Sequence, residues 1–178
     1  MESNNIPVTD RPGGGEGKLK TFFIEHLNSI YSAKSHLIDN LPSLGQTVDD
    51  KDLVMGIQET TENVKKQIAR MEIVYALLDS PVPDRKTRGL KGLIDEAFLA
   101  IAKQGADTLL RDLSILFYLQ NIENVEVASF QLLQMAAVKL ENRQVGMLLK
   151  ENFEEAKKNR TLLLLISAKY ITIASDND

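Results

Sequence analysis

The chain contains no cysteine, which excludes disulfide frameworks, thiolate metal sites and cysteine nucleophiles together. Only two histidines occur, His26 and His36, so any imidazole chemistry would have to come from one short stretch. No basic face is apparent either: 21 Lys and Arg are interspersed with 25 Asp and Glu, and a nucleic-acid partner is not expected. The most apolar run, residues 162–173, is interrupted by Lys169 and falls well short of the roughly 20 residues that cross a bilayer. No membrane segment is therefore expected. The opening residues, MESNNIPVTDRPGGGEGK, offer neither the basic start nor the apolar stretch of a secretion signal, and a cytoplasmic protein is the expectation.

Strand signals are missing as well. The β-branched residues fall on helical spacing and do not alternate. What is present is a series of long helical patterns. After the glycines at 13–17, which separate a disordered tail (1–17) from the folded part, Phe23, Leu27, Ile30, Leu37 and Leu41 recur at three- and four-residue steps until Pro42 and Gly45. A second helix is predicted from a cap at Asp49 or Asp50 to about Leu78, with the stripe Leu53, Ile57, Val64, Ile68, Met71, Tyr75 and Leu78. Residues 80–89, with two prolines, read as a crossover loop. A short helix follows at about 90–103, then a long one capped by Asp107 and reaching Leu140, and a last one over 143–174. The fold class expected is all-α: a ferritin-like four-helix up-down bundle over 18–174 with a short extra crossover helix, followed by a disordered end at 175–178.

Each long helix carries a polar break in its buried stripe. Lys34 fills a step of the first; Thr60, Asn63 and Gln67 lie beside the second stripe. Gln120 and Glu123 interrupt the fourth helix, and Asn152, Glu155 and Asn159 interrupt the last. A buried polar layer is predicted from Lys34, Thr60, Asn63, Gln120, Glu123, Asn152, Glu155 and Asn159. Such positions hold di-iron or di-manganese centres in bundles that supply Glu-x-x-His motifs. This chain has no Glu-x-x-His. The glycine-rich segment is not followed by Lys-Ser/Thr, so a phosphate loop is not expected.

The segments Ile30–Leu37, Gln67–Glu72, Gly92–Glu96, Gln120–Phe130 and Leu148–Glu155 together resemble the YciE/YciF family of bacterial ferritin-like proteins, over roughly residues 19 to 168. In that family the first-helix motif typically reads Tyr-x-Ala-Glu-x-x-Leu. By this resemblance a family glutamate falls on Lys34, a His-x-x-Glu pair on Thr60 and Asn63, a Glu-His pair on Glu123 and Asn124, and a Glu and an Asp on Ala156 and Arg160. Glu123, Glu126 and Glu155 keep their carboxylates. The resemblance implies a homodimer, a link to stress responses, and a bundle whose metal-ligand positions are mostly replaced. Two functions compete: a non-catalytic bundle without cofactor, acting by self-association or partner binding, and an Fe or Mn oxidoreductase of peroxidase or catalase type using Glu62, Glu123, Glu126 and Glu155. For the first, Lys34 is expected to face Glu123 or Glu155 or to snorkel to the bundle edge along its aliphatic stem, and the dimer surface is expected at Phe22, Phe23 and residues 162–166.

Overall fold

The computed structural model describes residues 14–84 and 89–175. Five helices follow in order: α1 (Gly14–Gly45), α2 (Lys51–Leu77), α3 (Gly89–Lys103), α4 (Thr108–Lys139) and α5 (Arg143–Ser175). Three starts are fixed by side chains that accept a backbone N–H of the first turn. Asp50 receives Leu53 N–H at 2.9 Å, Asp107 receives Leu110 N–H at 3.0 Å, and Asn142 receives Val145 N–H at 3.0 Å. Asp79, Gly105 and Glu141 stop α2, α3 and α4 with positive φ, the left-handed turn that closes a helix C-terminus.

Two boundary expectations are corrected. Gly14–Gly17, assigned to the tail, form the first turn of α1; extending an existing helix adds one hydrogen bond per residue and offsets part of glycine's entropic cost. Pro42 does not end α1 but sits one turn before its end, where its missing N–H costs a single hydrogen bond. The rest of the expected tail, residues 1–13, and 176–178 at the other end lie outside the described residues.

In the bundle α1 packs on α2, α2 on α5, α5 on α4 and α4 on α1, while α3 lies against α1 and α4. Paired residues give the directions. Asn28, Tyr31 and Lys34 meet Tyr75, Glu72 and Gln67, so α1 and α2 are antiparallel. Asn63 meets Asn159 and Arg70 meets Glu155, so α5 runs against α2. Gln120 meets Ser167 and Gln134 meets Leu149, so α4 runs against α5. The crossover through α3 thus returns the chain to run α4 parallel to α2.

The stripes of α1 and α2 are buried as expected, with Ile68 half-buried. The stripes that spacing predicts for α4 (Leu113, Leu116, Gln120, Glu123, Val127 and Phe130) and for α5 (Val145, Leu148, Asn152, Glu155, Asn159, Leu162 and Ile166) are rotated in part. In α4 the inward residues are Asp112, Ile115, Leu116, Leu119, Ile122, Glu123, Glu126, Phe130 and Leu133, and in α5 they include Val145, Leu149, Asn152, Ala156, Asn159, Leu163 and Ile166. Both helices carry leucines on several sides, so apolar spacing alone leaves their rotation open by about a third of a turn. The apolar core falls into two clusters. One gathers Leu37, Leu41, Leu53, Ile57, Ile115, Leu119 and Leu163; the other gathers Phe23, Leu27, Tyr31, Met71, Tyr75, Phe130, Val145 and Leu149. Polar side chains at mid-height separate them.

Candidate functional site: the polar layer between two apolar cores

Lys34 is wholly inaccessible to solvent. Its position on α1 is one step of the buried stripe, so its aliphatic stem points inward with Ile30 and Leu37 and the ammonium must find partners in the bundle. It finds three. Nζ donates to Gln67 Oε1 of α2 and to Glu126 Oε2 of α4 at 2.5 Å, and stands 5.5 Å from the centre of the Phe130 ring. Glu126 is itself buried. The expected partners are thereby corrected: Lys34 pairs with Glu126, not with Glu123 or Glu155.

The rest of the layer is a chain of amides. Asn63 Nδ2 donates to Asn159 Oδ1 at 2.8 Å, and Asn159 Nδ2 donates to Glu123 Oε1 at 3.1 Å. Asn152 Nδ2 donates to the backbone carbonyl of Gln67 at 3.3 Å. Thr60, Asn63, Glu123, Asn152 and Asn159 are all buried, and Gln67, beside the expected stripe, is fully so. Four buried polar atoms find no hydrogen-bond partner among the described residues: Ser35 Oγ, Thr60 Oγ1, Gln67 Nε2 and Glu123 Oε2. Burial pushes the Glu123 carboxyl well above the usual carboxylate range, and the neighbouring Glu126 charge adds to the effect.

Two expected members do not belong. Gln120 is half-buried one turn away, donating to Ser167 Oγ at 2.8 Å and to the Leu116 carbonyl. Glu155 lies at the rim because the inward position of that turn is taken by Ala156. Arg70 of α2, which sequence reading did not single out, grips Glu155 with two parallel bonds of 2.8 and 2.9 Å, and also reaches Glu151 at 2.8 Å and Asn152 at 3.3 Å. Its only signal was its place three residues after Gln67. Since the side chains of Arg70 and Glu155 keep 20% and 18% of their accessible surface, Glu155→Ala is expected to cost only about 1 kcal/mol in urea unfolding. A loss as large as that of a fully buried ion pair would place Glu155 in the core after all.

A di-metal centre needs several carboxylates and one or two imidazoles converging on a shared point, and the donors here do not fit it. Glu62 is exposed and bonded to Lys65 at 2.6 Å; Glu155 is held by Arg70. His36 leans out to Asp95 of α3 at 2.6 Å, and His26 is exposed beside Phe22. Asn124 and Arg160, on which the resemblance puts family ligands, bond to each other at the surface. Among the described residues no group of three or more His, Asp or Glu is placed to hold a metal ion. The two inward carboxyls that remain, Glu123 and Glu126, share their space with an ammonium.

No described helix is long and apolar enough to cross a membrane. Residues 18–172 match a family defined by a domain of unknown function, DUF892. Protein YciF of Escherichia coli K12 is 26% identical over 160 residues, 89% of this chain and 96% of its own length. The crystal structure of the E. coli stress protein YciF superposes with a TM-score of 0.80 at 26% identity, covering 86% of this chain and 97% of that one. YcfI from Rhodopseudomonas palustris gives 0.76 at 25% identity, over 85% and 96% of the two chains. With the family model matched over nearly the whole bundle, the chain belongs to the YciF-like DUF892 family.

Proposed function

We propose that this protein is a non-catalytic member of its family, in which a built-in ammonium replaces metal at the bundle centre, and that it works by self-association or by binding a partner. The observation that carries this reading is the total burial of Lys34 against Glu126 and Gln67. A cation tethered to α1 neutralises the inward carboxylate without a metal ion and leaves no open coordination position for a substrate. The designation of the E. coli relative as a stress protein favours a role in stress physiology.

Exposed apolar residues support the association. Leu110, Phe117, Leu132 and Met135 are each about half exposed or more, and their spacing puts them on one outward side of α4. Exposed apolar stripes of this kind mark interaction surfaces. The surface differs from the one expected at Phe22, Phe23 and 162–166. Phe23, Leu163 and Ile166 are core residues, while Leu164 and Leu165 are exposed on α5.

Two measurements test the reading. Metal analysis of protein from iron- and manganese-supplemented cells should find far less than one equivalent per chain; about two, as a di-metal bundle holds, would sink the metal-free interpretation. Light scattering should give a mass near twice 19.9 kDa, reduced to the monomer by Phe117→Glu with Met135→Glu. A monomer at every concentration would leave self-association without support.

A further inference from the structure

The charges in the layer do not balance if every acid is ionised. One cation, Lys34, comes from α1; two carboxyls, Glu123 and Glu126, come from α4. From α2 come only Thr60, Asn63 and Gln67, and from α5 only Asn152, Ala156 and Asn159, none of which titrates. Arg70, Glu151 and Glu155 stay at the rim as their own cluster. Two buried carboxylates facing one ammonium would leave an unneutralised anion between two apolar clusters, a situation that proteins avoid by protonation.

The hydrogen bonds say which carboxyl takes the proton. Glu126 has the ammonium. Glu123 has one amide donor, Asn159, on Oε1, and nothing donates to its Oε2 among the described residues. An oxygen without a donor, on a buried carboxyl one helical turn from a second buried carboxyl, is satisfied when it becomes the donor.

We propose that Glu123 is kept as a neutral carboxylic acid whose Oε2–H donates to Glu126, making the layer a proton-binding site that couples the stability of the bundle to alkaline pH. The site rests on the metal-free reading above. The proton acts as a ligand of the folded state. In the unfolded chain Glu123 ionises in the ordinary glutamate range, whereas in the bundle it holds its proton to higher pH. Stability from this residue is therefore complete below the ordinary range and is lost as pH rises toward its folded value. Burial raises that folded value in the direction the geometry requires.

Glu123→Gln is the decisive variant, because its amide copies the protonated acid: the carbonyl accepts from Asn159 and the N–H donates to Glu126 at every pH. The full chain, treated with chelator and assayed for metal, would be unfolded with urea from about pH 5 to about pH 9. The wild-type midpoint should fall as pH rises, while the variant loses most of that slope, so that the two converge at the acid end and the variant is the more stable at the alkaline end. Carbon-13 NMR of the glutamate side-chain carbonyls supplies a second reading on the wild type alone, should the variant fail to fold. One carbonyl should keep the shift of a protonated acid at neutral pH. Equal pH slopes, or all glutamates titrating in the ordinary range in metal-free protein, overturn this proposal alone. Near-stoichiometric Fe or Mn in the untreated protein, lost in Glu123→Gln, overturns it together with the metal-free reading.

Discussion

Lys34→Met is expected to destabilise the protein by about 3 to 5 kcal/mol, the range for removing one member of a buried ion pair. The methionine keeps most of the aliphatic stem, so packing against Ile30, Leu37 and the Phe130 ring is largely preserved, and the loss reports the missing charge. What remains is Glu126, 4% exposed, deprived of its ammonium, with a second carboxyl as neighbour. For a chain of this length the loss corresponds to a fall in Tm of roughly 6 to 20 °C. The pair itself need not add net stability, because desolvating both ions opposes their attraction. Lys34→Met combined with Glu126→Gln should therefore recover most of the loss, and the double-mutant cycle should show a coupling of at least about 1 kcal/mol. Additive effects in that cycle would mean that the two side chains do not meet in solution.

Lys34→Glu should be more damaging still to the metal-free protein. It exchanges the buried ammonium of the layer for a third inward acid, set among Glu123, Glu126 and the amides of Gln67 and Asn159. With Glu123 already protonated, neutralising the other two acids takes either two more protons or a divalent ion. The variant should thus gain what the wild type lacks: a rise in Tm with added Mn or Fe, about 2.7 kcal/mol of stabilisation when free metal is a hundredfold above its dissociation constant. Wild-type protein under the same conditions should show no such rise. Thermal melts with and without metal read both effects. A wild type that is stabilised by metal as strongly as the variant would show that Lys34 does not govern the centre.

These expectations depend on side-chain partners that helical periodicity could not supply. Lys34 stood out in the sequence because α1 carries a single narrow apolar stripe, and a lysine on such a stripe must be buried or snorkel. Its partner was hidden by α4, where Leu109, Leu110, Leu113, Leu116 and Phe117 spread apolar character around the helix. Glu123 and Glu126, three residues apart, both point inward once α4 has its actual rotation. The same ambiguity in α5 put Glu155 on the expected stripe, whereas packing turned Ala156 inward and left Glu155 to Arg70. Gln120 was misplaced with it, by one turn of the rotated α4.

The sequence by itself determined the number and order of the helices, a cap at Asp49 or Asp50 and another at Asp107, the absence of thiol chemistry and of Glu-x-x-His, and the place of a lysine on the apolar stripe of α1. Those properties are local: capping needs one side chain and the next turn, and a stripe needs only spacing along one helix. Only the tertiary structure decided that Lys34 meets Glu126 and Gln67, that Glu123 is left with an amide and a second carboxyl, and that Arg70 closes the rim over Asn152 and Glu155. Each of these joins residues from different helices. The relative rotation of α1, α2, α4 and α5 that brings them together is set by the simultaneous packing of two apolar clusters, a condition that no single helix encodes.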